Sequence, residues 1–179
     1  MKDVVIIYKS KYGSTKQYAE WIAAEVNADL FEASNLKVSQ LEQYKVIVYG
    51  AALYASGLKG FSIIKNNFDR IKHKKIIVFS VGASPAHDDV IDDIKNHNFS
   101  NEMKNSISFF HLRGAFDFSN LKFLDKFLMF LMKKRIESKK TALSEDEKNL
   151  LNSFNNAQNW TNKEAVIPIV NCINSNIGT

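Results

Sequence analysis

A dense group of hydroxyl-bearing residues stands close to the start of the chain. The stretch reads Ser10, Lys11, Tyr12, Gly13, Ser14 and Thr15. Serine and threonine hydroxyls can donate hydrogen bonds to an anion, and a glycine lets the backbone come close to it. Since no carboxylate or histidine stands among these residues, we expect the stretch to hold a ligand rather than to break one. The alternative is a plain turn in which a hydroxyl caps the next helix.

The flanking residues predict a strand before this stretch and a helix after it. Val4 to Tyr8 form a short β-branched run, which is typical of a fully buried strand. Tyr18, Trp21, Ile22 and Val26 recur at steps of three and four, which is helical spacing. A helix N-terminus offers unpaired N–H groups and partial positive charge, so the arrangement predicts a phosphate site. The patterns G-x-x-x-x-G-K-[ST] and G-x-G-x-x-G are both missing from this loop.

Strands and helices alternate along most of the chain. Besides the first strand, the predicted strands are 29–33, 44–50, 76–82 and 107–113. The predicted helices are 16–26, 58–71, 90–97, 123–136 and 145–159. This alternation predicts an α/β fold, in which a doubly wound parallel sheet carries helices on both faces.

Two further loops should meet the first, because ligands of such sheets lie beyond the carboxyl ends of the strands. Their candidate binding residues are Ala51, Ala52, Leu53, Tyr54 and Ala55 in one loop, and Val81, Gly82, Ala83 and Ser84 in the other. Small side chains leave room for a flat ring, and Tyr54 is placed to stack on it. The alternative for Tyr54 is an ordinary loop tyrosine.

Composition indicates one domain, residues 1–179, with a sizeable core. The single cysteine, Cys172, excludes an internal disulfide. The histidines lack metal-ligand spacing, and the aspartates at 88–93 suit a solvated helix start, so we expect no metal. No signal segment is visible, which favours the cytoplasm. The net charge of +5 favours anionic partners, which are nucleic acid, a membrane face or a carboxylate-bearing substrate. Of these we expect no nucleic-acid partner.

The stretch S-K-Y-G-S-T resembles the phosphate loop of flavodoxins, commonly [ST]-x-[ST]-[GY]-[NG]-[ST]. The five predicted strands, with their loops, resemble the flavodoxin fold over residues 1–113. The resemblance implies a five-stranded sheet of order 2-1-3-4-5. It also implies that FMN is the cofactor, held by the three loops.

The C-terminal third resembles a narrower family, the flavodoxin-type, menaquinone-dependent protoporphyrinogen IX dehydrogenases. The resemblance rests on 112–116 and on the basic and apolar stretch 121–135. It implies an FMN-dependent oxidoreductase with a quinone acceptor, a helical insertion near 116–140 and a C-terminal tail at 162–179. The family carries an arginine–tyrosine pair in its second loop, whereas this chain reads G-A-A-L-Y-A-S-G there.

Two other hypotheses stay open. The first is a flavodoxin-type protein that shuttles electrons between redox partners, although such carriers are typically strongly acidic and this chain is basic. The second is a non-enzymatic binding module on the same fold. A receiver domain would need an acidic pair at the end of the first strand, where Tyr8 and Lys9 stand instead.

Leu121–Arg135 contains six consecutive apolar residues flanked by lysines and an arginine. Because six residues circle a helix more than once, its whole circumference is apolar there. One interpretation is peripheral contact with the inner face of the membrane, where a quinone would also be found. The other is burial by neighbouring segments or by a second subunit in a homodimer.

Overall fold

The computed structural model describes residues 2–139 and 142–176. It divides into two compact units. Unit 1 runs to Gly114 and resumes at Thr161, and unit 2 is Ala115–Trp160. Residue 140 of the predicted insertion and residues 177–179 of the predicted tail lie outside the described residues.

The described residues of unit 1 form six strands and six α-helices, with short 3-10 helices between some of them. The strands are β1 (Val4–Lys9), β2 (Asp29–Glu32), β3 (Val46–Tyr54), β4 (Gly57–Leu58), β5 (Lys75–Gly82) and β6 (Ile107–Arg113). The helices are α1 (Ser14–Val26), α2 (Ser62–Lys65), α3 (Phe68–Ile71), α4 (Asp88–Asn98), α5 (Asn101–Ser106) and, after the return at Thr161, α8 (Ile167–Asn174). The 3-10 helices are Ala33–Asn35, Val38–Gln43 and Lys163–Val166.

The sheet runs β2-β1-β3-β5-β6, and every pair along this path is parallel. The prediction of a doubly wound α/β fold is therefore confirmed, because the five long strands take the order 2-1-3-4-5. The short β4 adds an antiparallel partner to the end of β3. The winding changes direction between β1 and β3, and this is where such sheets bind ligands.

Each face of the sheet is covered by its own apolar core. Val5, Ile7 and Ile47 belong to one cluster, together with side chains of α2 and α3. Val4 and Ile6 belong to the other, together with side chains of α1 and α8. Alternate residues of each strand point to opposite faces, so a strand covered on both sides must be apolar throughout. This is why the β-branched runs were recognisable as strands.

Several predicted helix limits are wrong. The predicted helix 58–71 starts in the strand β4 and continues as two four-residue helices, since Gly60 and the pair 66–67 interrupt it. The predicted helix 145–159 ends at Ser153, and α5 was not predicted at all. The predicted tail 162–179 contains α8, whose Ile169 and Ile173 are fully buried in the core.

Unit 2, as far as residues 115–139 and 142–160 are described, forms two helices and one short pair of antiparallel strands. Its elements are β7 (Ala115–Phe116), α6 (Phe123–Glu137), α7 (Glu145–Ser153) and β8 (Gln158–Asn159). β7 pairs antiparallel with β8, and Phe154 contacts the rings of Phe116 and Phe118. Ser144 and Glu147 form a capping box at the start of α7. The predicted helix 123–136 is confirmed. It lies in the segment 115–160, which leaves unit 1 and returns to it and which we call the excursion. The excursion is longer than the predicted insertion near 116–140.

The hydroxyl of Tyr18 ties together two distant parts of unit 1. Its oxygen donates to the carbonyl of Arg113 at 2.8 Å and accepts from the amide of Asn162 at 3.1 Å. These residues flank the excursion, since the chain leaves unit 1 after Gly114 and returns at Thr161. Burial raises the pKa of this phenol, so it keeps its proton through the neutral range.

Replacing Tyr18 with Phe should lower the free energy of unfolding by about 1–3 kcal/mol. The substitution keeps the ring but leaves the amide of Asn162 and the carbonyl of Arg113 without this partner. Denaturant titration measures the change, and Tyr54→Phe at an exposed phenol is the matched control. An unfolding free energy equal to that of the control would contradict the importance of this hydroxyl.

Candidate functional site

The first loop leaves the N-terminus of α1 open to a ligand. Gly13 is the N-cap residue with φ of 101°, a left-handed value that favours glycine. Within the described residues no side-chain hydrogen bond caps this helix. A Cβ placed on Gly13 would meet nothing within 4 Å, so the space beside the helix end is open. The N–H groups of a first helical turn have no partner within their own helix, so a helix end beside open space suits an anion.

Hydroxyls surround this helix end. The Oγ of Ser10 accepts a hydrogen bond from the amide of Gly13 at 3.1 Å, which folds the loop back on itself. Its own hydroxyl hydrogen can still be donated outward. Thr15, in the first turn of α1, is only 2% exposed. Ser10 therefore shapes the loop before α1, and Thr15 is buried in the first turn of that helix.

The predicted second loop is a strand and a tight turn. Ala51 to Tyr54 continue β3, so their prediction as loop residues is wrong. Ala51 pairs with Lys9 and Ser80 in the sheet, and Tyr54 pairs with Gly57 across a two-residue turn. Ala55 and Ser56 have φ of 46° and 63°. Two successive positive φ values are typical of a type I′ hairpin turn, and this turn occurs without glycine or asparagine at its centre.

Asn98, the last residue of α4, holds this hairpin in place. Its Oδ1 accepts from the amide of Leu58 at 2.9 Å, and its Nδ2 donates to the carbonyl of Ser56 at 2.7 Å. Residues in the left-handed region cost energy unless their surroundings hold them there. Asn98 is therefore a positioning residue for the turn that presents Tyr54.

Lysine side chains lie over the ring of Tyr54. The Nζ of Lys11 is 4.0 Å from the ring centroid, and the Nζ of Lys59 is 5.9 Å from it. A cation within about 6 Å of a ring face is attracted to it. Lys11 thereby connects the first loop with the end of β3. The sequence prediction included Lys11 and Tyr54 but missed Lys59.

The third loop is anchored from β6 and the residue after it. Three successive carbonyls accept hydrogen bonds: Gly82 from the amide of Gly114 at 2.7 Å, Ala83 from the Nε of Arg113 at 3.2 Å, and Ser84 from the Nε2 of His111 at 3.0 Å. These bonds hold the backbone of the loop and require no particular side chain at 82–84. The same residues should therefore be preorganised for a ligand.

His111 is a buried histidine that the sequence analysis did not single out. Its Nδ1 lies 2.6 Å from the Oγ of Ser80, a fully buried side chain. Burial lowers the pKa of His111, with a smaller effect in the same direction from Arg113. In the neutral ring Nε2 carries the proton and donates to the carbonyl of Ser84, while Nδ1 accepts from the hydroxyl of Ser80.

Residues 10–15, 51–55 and 81–84 all lie at the carboxyl ends of neighbouring parallel strands, β1, β3 and β5. The sequence profile of the flavodoxin domain family matches residues 5–144. The chain belongs to this family. The match includes β1 to β6, and so the whole edge formed by residues 10–15, 51–55 and 81–84.

Other known proteins resemble parts of this flavodoxin-domain chain. An uncharacterised protein of Methanocaldococcus jannaschii is 29% identical over 103 residues, which is 53% of this chain and 67% of that protein. Flavodoxin 1 of Bacillus cereus has a TM-score of 0.45 at 20% identity, covering 83% of this chain and 92% of that one. The Flv1 flavodiiron core of Synechocystis has a TM-score of 0.44 at 17% identity, and the match covers 63% of this chain and 30% of that core.

The residues described include no group of three or more His, Cys, Asp or Glu side chains that could hold a metal ion. The aspartates at 88 and 89 occupy the first turn of α4, as the sequence analysis expected. In the same part of the chain, no helix combines the length and apolar character needed to cross a membrane.

Stability should fall as the pH drops below about 6.5, and His111 should be a cause. The unfolded chain takes up a proton near the ordinary histidine pKa, whereas the buried ring takes it up only at lower pH. Between these two values the unfolded state binds more protons, so the unfolding free energy should decrease by up to about 1.4 kcal/mol per pH unit.

Urea titrations of wild type and of His111→Gln between pH 7.5 and pH 5 measure this effect. The variant should show a shallower pH dependence over that interval. His73→Gln, at an exposed histidine, is the matched control and should keep the wild-type slope. Equal slopes in His111→Gln and wild type would contradict the assignment.

Proposed function

We propose that this chain binds FMN at the edge formed by residues 10–15, 51–55 and 81–84, and that it is an FMN-dependent oxidoreductase. The observation that carries the proposal is the open N-terminus of α1, with Gly13 at the cap and hydroxyls around it. Membership in the flavodoxin domain family supports it. The first loop would hold the phosphate, through the helix N-terminus and the hydroxyls of Ser10, Ser14 and Thr15.

The other two segments fit the isoalloxazine ring. Ala51 and Ala52 at the end of β3, and Gly82 and Ala83 in the third loop, have small side chains that would leave room for the ring. Tyr54 would offer an aromatic face on which the ring can stack. The anchored backbone at 82–84 would present fixed polar groups to the ring edge. When bound, FMN supplies the redox chemistry, and the protein contributes binding, orientation and electrostatics.

Within this proposal, the substrate is a reduced molecule that carries carboxylates, such as protoporphyrinogen, and a quinone accepts the electrons. Lys11 and Lys59 beside Tyr54 favour an anionic substrate at this edge. Lys59 follows the hairpin and offers a cation where the loop lacks the arginine of the related dehydrogenases.

The second candidate is an electron carrier that shuttles electrons between proteins. The open helix end supports it equally well, because both functions need FMN. Steady-state turnover separates the two: an oxidoreductase should consume protoporphyrinogen with a quinone over many cycles. A carrier should not sustain turnover with protoporphyrinogen and a quinone as its only partners, since it would lack the proteins that donate and accept its electrons.

Removing the hydroxyls of Ser10 and Thr15 should weaken FMN while leaving riboflavin binding unchanged. Each hydrogen bond to a phosphate contributes up to about 3 kcal/mol, so Ser10→Ala with Thr15→Ala should raise the Kd for FMN strongly. Fluorescence titration of the apoprotein measures both ligands. Ser62→Ala, at the exposed start of α2, is the control. Equal losses for FMN and riboflavin would contradict a phosphate site here.

Replacing Tyr54 with Ala should weaken FMN by about 0.5–1.5 kcal/mol beyond the lost burial and brighten its fluorescence. A stacked, electron-rich ring quenches the flavin, so its removal should restore emission. Tyr12→Ala is the matched comparison, because Tyr12 is the other exposed aromatic beside Lys11. If Tyr12→Ala brightens the bound flavin and Tyr54→Ala does not, the stacking assignment is wrong.

A further inference from the structure

Helix α6 of unit 2 has its polarity reversed relative to an ordinary surface helix. Its outward side chains are mostly large and apolar, whereas its inward positions include a carboxylate. Six large apolar side chains are each more than 40% exposed: Phe123, Leu124, Phe127, Leu128, Phe130 and Leu131. Phe123 is 87% exposed and Leu124 is 63% exposed. Surface helices normally turn such residues toward a core.

The six side chains form one continuous surface, which we call the apolar face of α6. At 100° per residue they occupy an arc of about 160°, running from Phe130 to Leu128. The opposite side of the helix carries Asp125 and Ile136, both buried. One side of the helix is therefore packed, and the apolar face is not covered within the described residues.

Cations border the apolar face at both ends. Residues 122–139 contain six Lys and Arg side chains and two acidic ones, while the whole chain has a net charge of +5. Lys122 precedes the helix, and Lys134 and Arg135 lie in its last turn, within the arc of the apolar face. Most of the chain's excess positive charge is therefore concentrated around one apolar patch.

This charge distribution decides between the occupants that could cover the face. A second copy of the chain would bring an identical set of cations against the first, and like charges oppose that pairing. An anionic lipid surface offers negative head groups for the cations and an acyl boundary for the apolar side chains. A helix of 15 residues is too short to span a bilayer but long enough to lie in its interface.

We propose that α6 docks onto an anionic membrane surface, with Phe123, Leu124, Phe127, Leu128, Phe130 and Leu131 entering the head-group and acyl boundary. Lys122, Lys126, Lys134 and Arg135 contact the lipid phosphates. The proposal rests on unit 2 alone and does not depend on FMN binding by unit 1.

Sedimentation with vesicles tests the proposal. Full-length protein is mixed at low salt with vesicles of pure phosphatidylcholine, or of phosphatidylcholine with one third phosphatidylglycerol. The protein should pellet with the anionic vesicles, stay in solution with the neutral ones, and dissociate as salt is added. Phe127→Glu with Phe130→Glu should lower the partition coefficient at least tenfold.

Matched control variants distinguish binding through the apolar face of α6 from non-specific binding of the protein to vesicles. Ile167→Glu adds one glutamate at an apolar residue of unit 1 that is 53% exposed, and it should leave binding unchanged. Lys134→Gln with Arg135→Gln should lower partition about fivefold for each charge removed. Lys37→Gln with Lys65→Gln, at exposed lysines of unit 1, should have little effect.

Three outcomes would overturn the proposal. In the first, the wild type stays in solution with anionic vesicles. In the second, the Phe127→Glu, Phe130→Glu variant still binds while its circular dichroism matches the wild type. In the third, the lipid-free protein is a dimer that this variant converts to a monomer, since a second copy would then cover the face.

A measurement on the wild type keeps the test valid if the variant unfolds. Hydrogen–deuterium exchange with and without anionic vesicles should show new protection confined to residues 123–135. Protection elsewhere, or none, would overturn the proposal. Bound FMN, measured by absorbance, should be equal in wild type and variants, so a failure of this proposal is distinguishable from a failure of flavin binding.

Discussion

The register of the parallel sheet is the constraint on which the candidate site depends. Lys9 pairs with Ala51, Ala51 with Ser80, and Ser80 with His111, so one row of residues crosses four strands. The binding segments start at or just beyond this row. Neighbours in one row point to the same face of a sheet, which is why Ser80 and His111 meet at 2.6 Å although 31 residues separate them. A slip of one residue in any strand would turn its side chain away.

The sheet and the first loop could be predicted from the sequence because their signals are local. A run such as Val4 to Tyr8 needs no partner to be recognised as a buried strand, and the hydroxyls at 10–15 are adjacent in the chain. The hairpin turn at the end of β3 could not be predicted, because Ala55 and Ser56 occupy its centre, where glycine or asparagine normally stands. Asn98 and His111 act through contacts 27 to 42 residues away, which no local pattern reveals.

Helix α6 shows a different limit of sequence patterns. Its apolar run predicts a helix with no polar side, and a pattern of that kind does not say which side is covered. The packed side includes Asp125, while the phenylalanines are exposed. Hydrophobicity alone would place the phenylalanines on the buried side of α6 and Asp125 on the exposed side. The structure shows the opposite arrangement. The distribution of cations along the same segment is visible in the sequence, and our proposal of a lipid surface depends on it.

The two bonds of the Tyr18 hydroxyl also bear on how this chain can vary. Because one oxygen lies 2.8 Å from the carbonyl of Arg113 and 3.1 Å from the amide of Asn162, the residues that flank the excursion are held close together. The cost of closing a loop grows only slowly with its length once its ends are fixed. The core of unit 1 can thus accept a short turn, or an excursion of quite different length, at this junction. The segment 115–160 can therefore be replaced by one with a different surface while the sheet of unit 1 keeps its structure.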